Sequence, residues 1–495
     1  MPHKNIGALY PGYSPHEQTQ VDTFLQDVGD EVRNSHVNLD EFTAPVRALD
    51  GLLRHDAITA MYALEMLDQV PSPHRVVNSI PALLTALQLL STRAPAFHAD
   101  PQRANFFPAS TLFVHMMMTP AGQALFRMDA FNDCLRAILK SWCCHLDSPQ
   151  SRNVLHSEEG GWLSAPSWAR HRLDQYLIPD RAAPHWGFSS FNAFFHRQIR
   201  RECRPIAEPR NTRTIVSPND GTLYKVAHEV KGADRFWVKS QPYSLEHMLA
   251  GDPLFQQFLG GTVYQSFLDG RNYHRFWSPI AGSVKKIVHI KGLMFSNAES
   301  AGPDPTAGTY SQAYMSCVNT RALVFVESED PAIGMVCLMA IGISEVSSIS
   351  ISVRTGQELE KGDEIGCFSY GGSSICLLFQ PGAIREFTID VRDVGTKVGI
   401  GEDFLPANVD FSIIDHFEKV TDKDAALMTR EVSLREGIFV GNSSGAAMAG
   451  LIQCAHKLTK DDVVVVIFHD HGSRYLGKMF NSEWMRSKGY LDLAE

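Results

Sequence analysis

Phe368-Ser369-Tyr370-Gly371-Gly372-Ser373-Ser374 separates two apolar, strand-like stretches in a chain of 495 residues. A Gly-Gly-Ser-Ser loop in that setting is a place where the backbone itself can become a reactant. Ser373 Oγ lies one residue beyond the Gly372 carbonyl. Glycine reaches φ/ψ values that other residues avoid, and it presents no Cβ to an attacking oxygen. The ester formed by such an attack can eliminate and hydrolyse, which cuts the chain and leaves a pyruvoyl group where Ser373 stood. A pyruvoyl carbonyl condenses with amines and withdraws electrons, the work that PLP does elsewhere. Most Gly-Gly-Ser-Ser runs are plain turns, so the surroundings decide.

Five motifs surround the loop in order. Phe188-Ser189-Ser190-Phe191-Asn192-Ala193-Phe194-Phe195 with Arg204-Pro205-Ile206 comes first. Ser217-Pro218-Asn219-Asp220-Gly221-Thr222 follows, and then Asp269-Gly270-Arg271-Asn272-Tyr273-His274-Arg275-Phe276 with Ser278-Pro279 and Gly282. Lys361-Gly362-Asp363-Glu364-Ile365-Gly366-Cys367-Phe368 leads into the loop, and Ile375-Cys376-Leu377-Leu378-Phe379 leaves it. Over about residues 150–390 the chain thereby resembles the phosphatidylserine decarboxylases. It is most similar to their fungal soluble branch, which includes tryptophan decarboxylases of the psilocybin type and carries a helical extension ahead of the catalytic domain.

The resemblance implies a proenzyme cut between Gly372 and Ser373 into a β chain and a pyruvoyl-capped α chain. Ser373 would be the nucleophile and the precursor of the cofactor. Asp220 would be the orienting carboxylate and His274 the base and proton donor. Relatives commonly show Tyr-His-Arg-x-His, and the second histidine is the one assigned to self-cleavage; here that position is Trp277. An indole N–H has no basic nitrogen and cannot take the serine proton. Residues three apart on a strand face opposite sides, so His274 is not expected to stand in for it. Slow processing, another base, or an unprocessed pseudoenzyme follow as expectations. The expected substrate is a free amino acid, L-tryptophan or another aromatic one, with phosphatidylserine as the alternative. A homodimer is compatible with all of this. Glu345, between Ser344 and Val346, reads first as a polar residue closing a strand, with a pocket acid as the alternative.

A net charge of −10 argues against a nucleic-acid surface and against docking on anionic lipid. No apolar run approaches the roughly 18 residues of a membrane span, and the N-terminus has no apolar signal segment. The nine cysteines are scattered, with no Cys-x-x-Cys, which suggests neither a metal site nor a disulfide framework. A cytoplasmic setting is expected.

The fold expected is α+β in three parts. Residues 1–150 read as a helical accessory domain. Leu83, Ala86, Leu87 and Leu90 recur at helical spacing behind Ser79-Ile80-Pro81, as do Phe131, Leu135, Ile138, Leu139 and Trp142, and residues 57–70 form a third candidate. Met116-Met117-Met118 reads as core. Residues 151–396 read as a mostly antiparallel β catalytic domain, with strands over 222–226, 236–238, 261–267, 283–290, 322–327, 334–341 and 346–353. A short helix capped by Ser244 and a mobile loop over 302–309 are also expected. Residues 397–495 resemble the end of a cystathionine β-synthase or cysteine synthase, an α/β fragment carrying Glu436-Gly437-Ile438-Phe439-Val440-Gly441-Asn442-Ser443-Ser444-Gly445 and a strand over 463–468. That family binds PLP, with the serine matching Ser443 on the pyridine nitrogen. The Schiff-base lysine and the phosphate loop that should lie upstream are missing, so no PLP is expected. His469-Asp470-His471 is not expected to bind metal.

Overall fold

The structure, a computed structural model, describes residues 18–100, 103–233, 243–268, 272–298, 311–345, 348–389, 397–398, 420–468 and 470–491. The chain divides into a unit ending at Pro406 and a second unit from Ala407.

The first unit begins with helices α1 (Gln18–Asn34), α2 (Ala44–His55), α3 (Ala57–Gln69), α4 (Ile80–Ser91), α5 (Pro108–Phe113), α6 (Pro120–Leu125) and α7 (Asp129–Leu146). Their local causes are plain. Asp56 accepts the Thr59 N–H at 2.7 Å and starts α3, and Ser79 accepts the Ala82 N–H at 3.3 Å, with Pro81 in the first turn of α4. The stripe Phe131, Leu135, Ile138, Leu139, Trp142 and Leu146 is the buried face of α7. Met116 and Met117 are buried in the same core. Two short helices follow, α8 (Ala165–Arg170) and α9 (Phe191–Phe195).

Eleven strands come next among the described residues: β1 (Gly221–Ala227), β2 (Thr262–Leu268), β3 (Arg275–Trp277), β4 (Gly282–Ile290), β5 (Arg321–Ser328), β6 (Met335–Ile343), β7 (Ile349–Ile351), β8 (Glu358–Leu359), β9 (Glu364–Phe368), β10 (Gly372–Phe379) and β11 (Lys397–Val398). Eight form one sheet in the order β11-β1-β2-β10-β6-β5-β4-β8, and three form a second in the order β3-β9-β7. Every pairing between these strands is antiparallel. The short helix at 245–248 has Ser244 at its N-cap position without a side-chain capping bond, contrary to the expectation. The strand expected over 236–238 and the loop over 302–309 lie outside the described residues.

The central strands β2, β10, β6 and most of β5 are buried on both faces, which is why they read as largely continuous apolar runs rather than alternating ones. Cys376 and Leu378 of β10 join Met339, Ile341 and Phe325 in the core shared with the helices. Ile375, Leu377 and Phe379 join Leu338, Ala340 and Val324 in a core on the other side, with Phe276, Ile365 and Phe368 of the small sheet. A side-chain period of two makes Ser373 belong to the second face and Ser374 to the first.

The second unit packs α10 (Asp422–Glu436) against α11 (Asn442–Cys454), with Gly445 so close to Ala425 and Thr429 that a Cβ could not be added. Residues 463–468 form no strand, which corrects the expectation: Val463, Val465 and Ile467 are 92%, 82% and 69% exposed. An apolar strand needs neighbours to pair with, and the described residues of this unit supply a single bridge, Val440 to His471.

Phe325, fully buried in the helix-side core of β5 and far along the sheet from the Gly-Gly loop, tests this packing. Phe325→Ala is expected to cost about 3–5 kcal/mol, read as a lowered urea midpoint for the first unit.

Candidate active site

The Gly-Gly-Ser-Ser loop closes the gap between β9 and β10. Gly371 has φ 139°, a conformation that side chains with a Cβ rarely adopt, so a glycine is required there. Gly372 and Ser373 then enter β10, where Gly372 pairs with Ile343 of β6 and Ser373 pairs with both Gly342 of β6 and Leu268 of β2. The loop is held from outside as well. Tyr370 N donates to Asn192 Oδ1 of α9 at 3.1 Å, and Ser369 N donates to Ser348 O at 3.0 Å.

His274 Nδ1 and Ser373 Oγ lie 3.0 Å apart, and neither residue has exposed surface. This corrects the expectation that His274 would face away. His274 precedes β3 rather than lying in it, so strand alternation does not govern its side chain. Phe195 of α9 stacks on the imidazole with ring centroids 4.1 Å apart. The backbone of His274 accepts the Phe368 N–H at 2.8 Å. One residue thus holds the entrance of the loop through its carbonyl and the exit through its ring. Trp277 Nε1 donates to Tyr273 Oη at 3.3 Å.

The two serines are distinguished by their partners. Ser374 Oγ donates to Ser266 O at 3.0 Å and accepts from Gln265 Nε2 at 2.9 Å, and Gln265 is itself fixed by Tyr243 Oη at 2.6 Å. Those bonds use the proton of Ser374 in the sheet. Ser373 presents its hydroxyl to an imidazole.

Asp220 stands buried at the start of β1. Its ion pair among the described residues is with Arg204, which also donates to Gln175 Oε1 at 3.1 Å. Burial, and then the Asp220 charge, push the Tyr273 phenol well up. The structure therefore brings Ser373 and His274 into contact and sets Asp220 in an ion pair beside Tyr273, the neighbour of His274. Phe195, Gln265 and Arg204 were not singled out from the sequence as parts of the site. Arg204 and Phe195 lie in motifs quoted above, and Gln265, a polar residue amid an apolar strand, was the available signal.

Glu345 is not the polar end of a strand. It is fully buried, accepts the Ser110 N–H of α5 at 2.9 Å through Oε1, and leaves Oε2 without a partner. Burial pushes its carboxyl up to about 8 against the opposing hydrogen bonds from Ser110, its own N–H and Ala109.

Two other groups bear on cofactors. Asp22, His74 and His115 bring possible metal ligands within 4.8 Å of one another. Gln18 Nε2 already sits among them, at 2.8, 3.4 and 3.1 Å, while His115 Nδ1 is buried without a hydrogen-bond partner. In the second unit Ser443 is exposed, and Ser444 is the serine turned inward, onto Asp470 Oδ1 at 3.2 Å. A PLP ring held by Ser443 would lie on an open helix end, so these residues do not fit that cofactor. His469 lies outside the described residues.

Comparison with known proteins identifies relatives of the chain. Phosphatidylserine decarboxylase family models match residues 191–405 and 43–170, and a model of pyridoxal-phosphate dependent enzymes matches residues 365–470. The decarboxylase iboD of Amanita muscaria is 38% identical over 304 residues, covering 57% of this chain and 87% of that protein. The L-tryptophan decarboxylase of Psilocybe cubensis is 30% identical over 318 residues, 60% of this chain and 72% of that one. A phosphatidylserine decarboxylase proenzyme of Chlamydia pneumoniae is 32% identical over 241 residues, 48% of this chain and 76% of that one. The chain belongs to the phosphatidylserine decarboxylase family, the carboxy-lyases made as self-processing pyruvoyl proenzymes. No helix among the described residues is long and apolar enough to cross a membrane.

Two outcomes are expected from this geometry. Gly371→Ala forces a Cβ into the φ 139° conformation and is expected to lose about 1–3 kcal/mol, seen as a lower thermal midpoint. Glu345 keeps its proton in the folded state up to about pH 8, whereas the unfolded chain loses it near its ordinary 4.5. The folded state therefore binds more protons across that window, and the stability of the wild type relative to Glu345→Gln falls as pH rises through it. Urea midpoints of the two proteins at several pH values measure that difference.

Proposed function

We propose that the chain matures by attack of Ser373 Oγ on the Gly372 carbonyl and then decarboxylates a free amino acid, L-tryptophan or another aromatic one. The observation that carries this is the 3.0 Å approach of His274 Nδ1 to Ser373 Oγ beside the Gly-Gly turn. A neutral imidazole with a bare Nδ1 takes the hydroxyl proton as the oxygen attacks. Asp220 acts as a positioning carboxylate: paired with Arg204, it fixes the turn into β1 against Tyr273, next to His274. The buried surroundings suit a covalent pyruvoyl group at position 373, which would supply a carbonyl that condenses with an amine and draws electrons from the bond to CO₂. His274 then holds the proton that returns to the substrate's Cα.

Residues 1–372 and 373–495 would remain together after cleavage, because β10 is hydrogen-bonded to β2 on one side and β6 on the other. Similarity to the Psilocybe cubensis L-tryptophan decarboxylase and the acidic net charge support a free amino acid over a lipid. Phosphatidylserine is the second reading, favoured by the similarity to the Chlamydia pneumoniae proenzyme. Activity on a free amino acid without liposome flotation would remove it. Nine scattered cysteines with no Cys-x-x-Cys suit a reducing compartment, and a cytoplasmic setting is proposed on that ground.

Intact mass of the denatured protein, with and without borohydride, tests the proposal. Two fragments separated between Gly372 and Ser373 are expected, the smaller one reducible. Ser373→Ala is expected to give a single full-length mass, and His274→Ala to slow cleavage by about 10²–10⁴-fold. A full-length wild-type chain would defeat the proposal in favour of an unprocessed pseudoenzyme.

A further inference from the structure

Ser344 follows β6 directly and takes φ 57°, a left-handed conformation that costs energy for a residue with a Cβ. Strain of that kind persists where the surrounding structure imposes it, and it clusters at functional sites. Its effect here is to turn the chain just beyond Ile343, the residue paired with Gly372. The next residue, Glu345, thereby enters the interior. The turn lies close to the cleavage site, since Ser344 Oγ is 3.5 Å from where a Cβ on Gly372 would be.

Glu345 has one oxygen satisfied and one not. Oε1 accepts the Ser110 N–H at 2.9 Å, and Oε2 is buried with no hydrogen-bond partner. A tie between β6 and α5 needs only the first oxygen, and a neutral side chain would make it without burying an acid. Leaving the second oxygen unpaired in the interior is costly unless a ligand completes it. Among the described residues no cation acts on Glu345. The titratable side chain that reaches Glu345 is Tyr370, whose phenol is itself pushed well up by burial and then by Glu345. The sequences of α5 and β6 contain no charged residue, and neither does that of β10.

Resting on the decarboxylase reading above, we propose that Glu345 receives the amine of the substrate: Oε2 accepts a proton from the substrate's ammonium group and leaves the nitrogen neutral. An amino acid arrives as an ammonium ion, which has no lone pair for attack on a carbonyl. The transfer breaks one N–H bond, forms one O–H bond at Oε2, and requires no other reactant. A carboxyl raised to about 8 is closely matched to this work near neutral pH. The receiving form is the carboxylate, so binding of a cationic amine strengthens as pH rises toward that value.

The test uses mature wild-type protein and Glu345→Gln, titrated calorimetrically with tryptamine in buffers of different ionisation enthalpy, with intact mass recorded on the same samples. Glu345→Gln keeps an oxygen for the Ser110 N–H and removes the acid. Cleavage is expected to proceed in both proteins. Tryptamine binding is expected to weaken by roughly tenfold or more in the variant, and the pH dependence and buffer-dependent proton exchange of the wild type to vanish. Cleaved Glu345→Gln that binds tryptamine with wild-type affinity and pH profile would overturn this role alone. An uncut wild type would overturn the decarboxylase reading and this one with it. Should the variant not fold, infrared spectra of the wild type decide. Above pH 8, where the free carboxyl is ionised, appearance of a protonated carboxyl band on adding tryptamine is expected, and no such band would overturn the proposal.

Discussion

The structure depends on β10 being paired along both edges and buried on both faces. All eight of its residues pair with β6 and Ser373–Phe379 pair with β2 as well, and alternate side chains enter two different cores. A strand in that position cannot slip by one residue, because a slip would exchange the contents of the two cores. Register is therefore set by the whole sheet, and Gly372 and Ser373 inherit it. The Gly371 turn then has to bridge a fixed gap from Phe368, which His274 accepts through its carbonyl. An oxygen and an imidazole nitrogen at 3.0 Å are a consequence of packing that extends through the entire first unit. The cost of strain at Ser344 is borne by the same scaffold.

Much of this was legible in the sequence. Apolar runs punctuated by Gly and Pro gave β1, β2, β4, β5 and β6 nearly to the residue, and caps and stripes gave α3, α4 and α7. The loop and His274 were legible as chemistry. Their geometry was not, because a period-two argument was applied to a residue lying just outside its strand. The orientation of His274 is set by Phe195 from a distant helix, a contact that no local pattern announces. Glu345 was obscured for a similar reason. Its burial follows from a left-handed backbone at Ser344, which nothing in the residue type foretells.

The C-terminal part shows the limit of reading a fold from likeness. Residues 463–468 carry the composition of a buried strand, yet they form none, and Val463, Val465 and Ile467 are exposed. Composition of that kind suits a sheet whose neighbouring strands cover both faces. Without those neighbours no strand ladder forms among the described residues, and Val463, Val465 and Ile467 stay at the surface. The helices fare better, because α10 and α11 bury their small residues against each other. Lys397–Val398, at the start of the synthase-like sequence, adds instead to the edge of the decarboxylase sheet, pairing with Gly221 and Thr222. The edge so covered adjoins Asp220, which links the completion of the sheet to the site.

Trp277 changes the demands on His274 if the proposed chemistry holds. Where two histidines are present, one can serve the single cleavage and the other the repeated decarboxylation. Here Trp277 bonds to Tyr273, and the imidazole at Ser373 belongs to His274. The carbonyl carbon nearest the reacting amine would descend from Ser373 Cα, so the proton needed in each turnover is wanted close to where the serine proton was given up. One nitrogen can meet both demands because they arise at one place and at different times. The first step happens once per chain and tolerates a base whose geometry is set by the second. Selection on turnover alone would then suffice to keep His274, and the position three residues on would be free to become the tryptophan that packs against Tyr273.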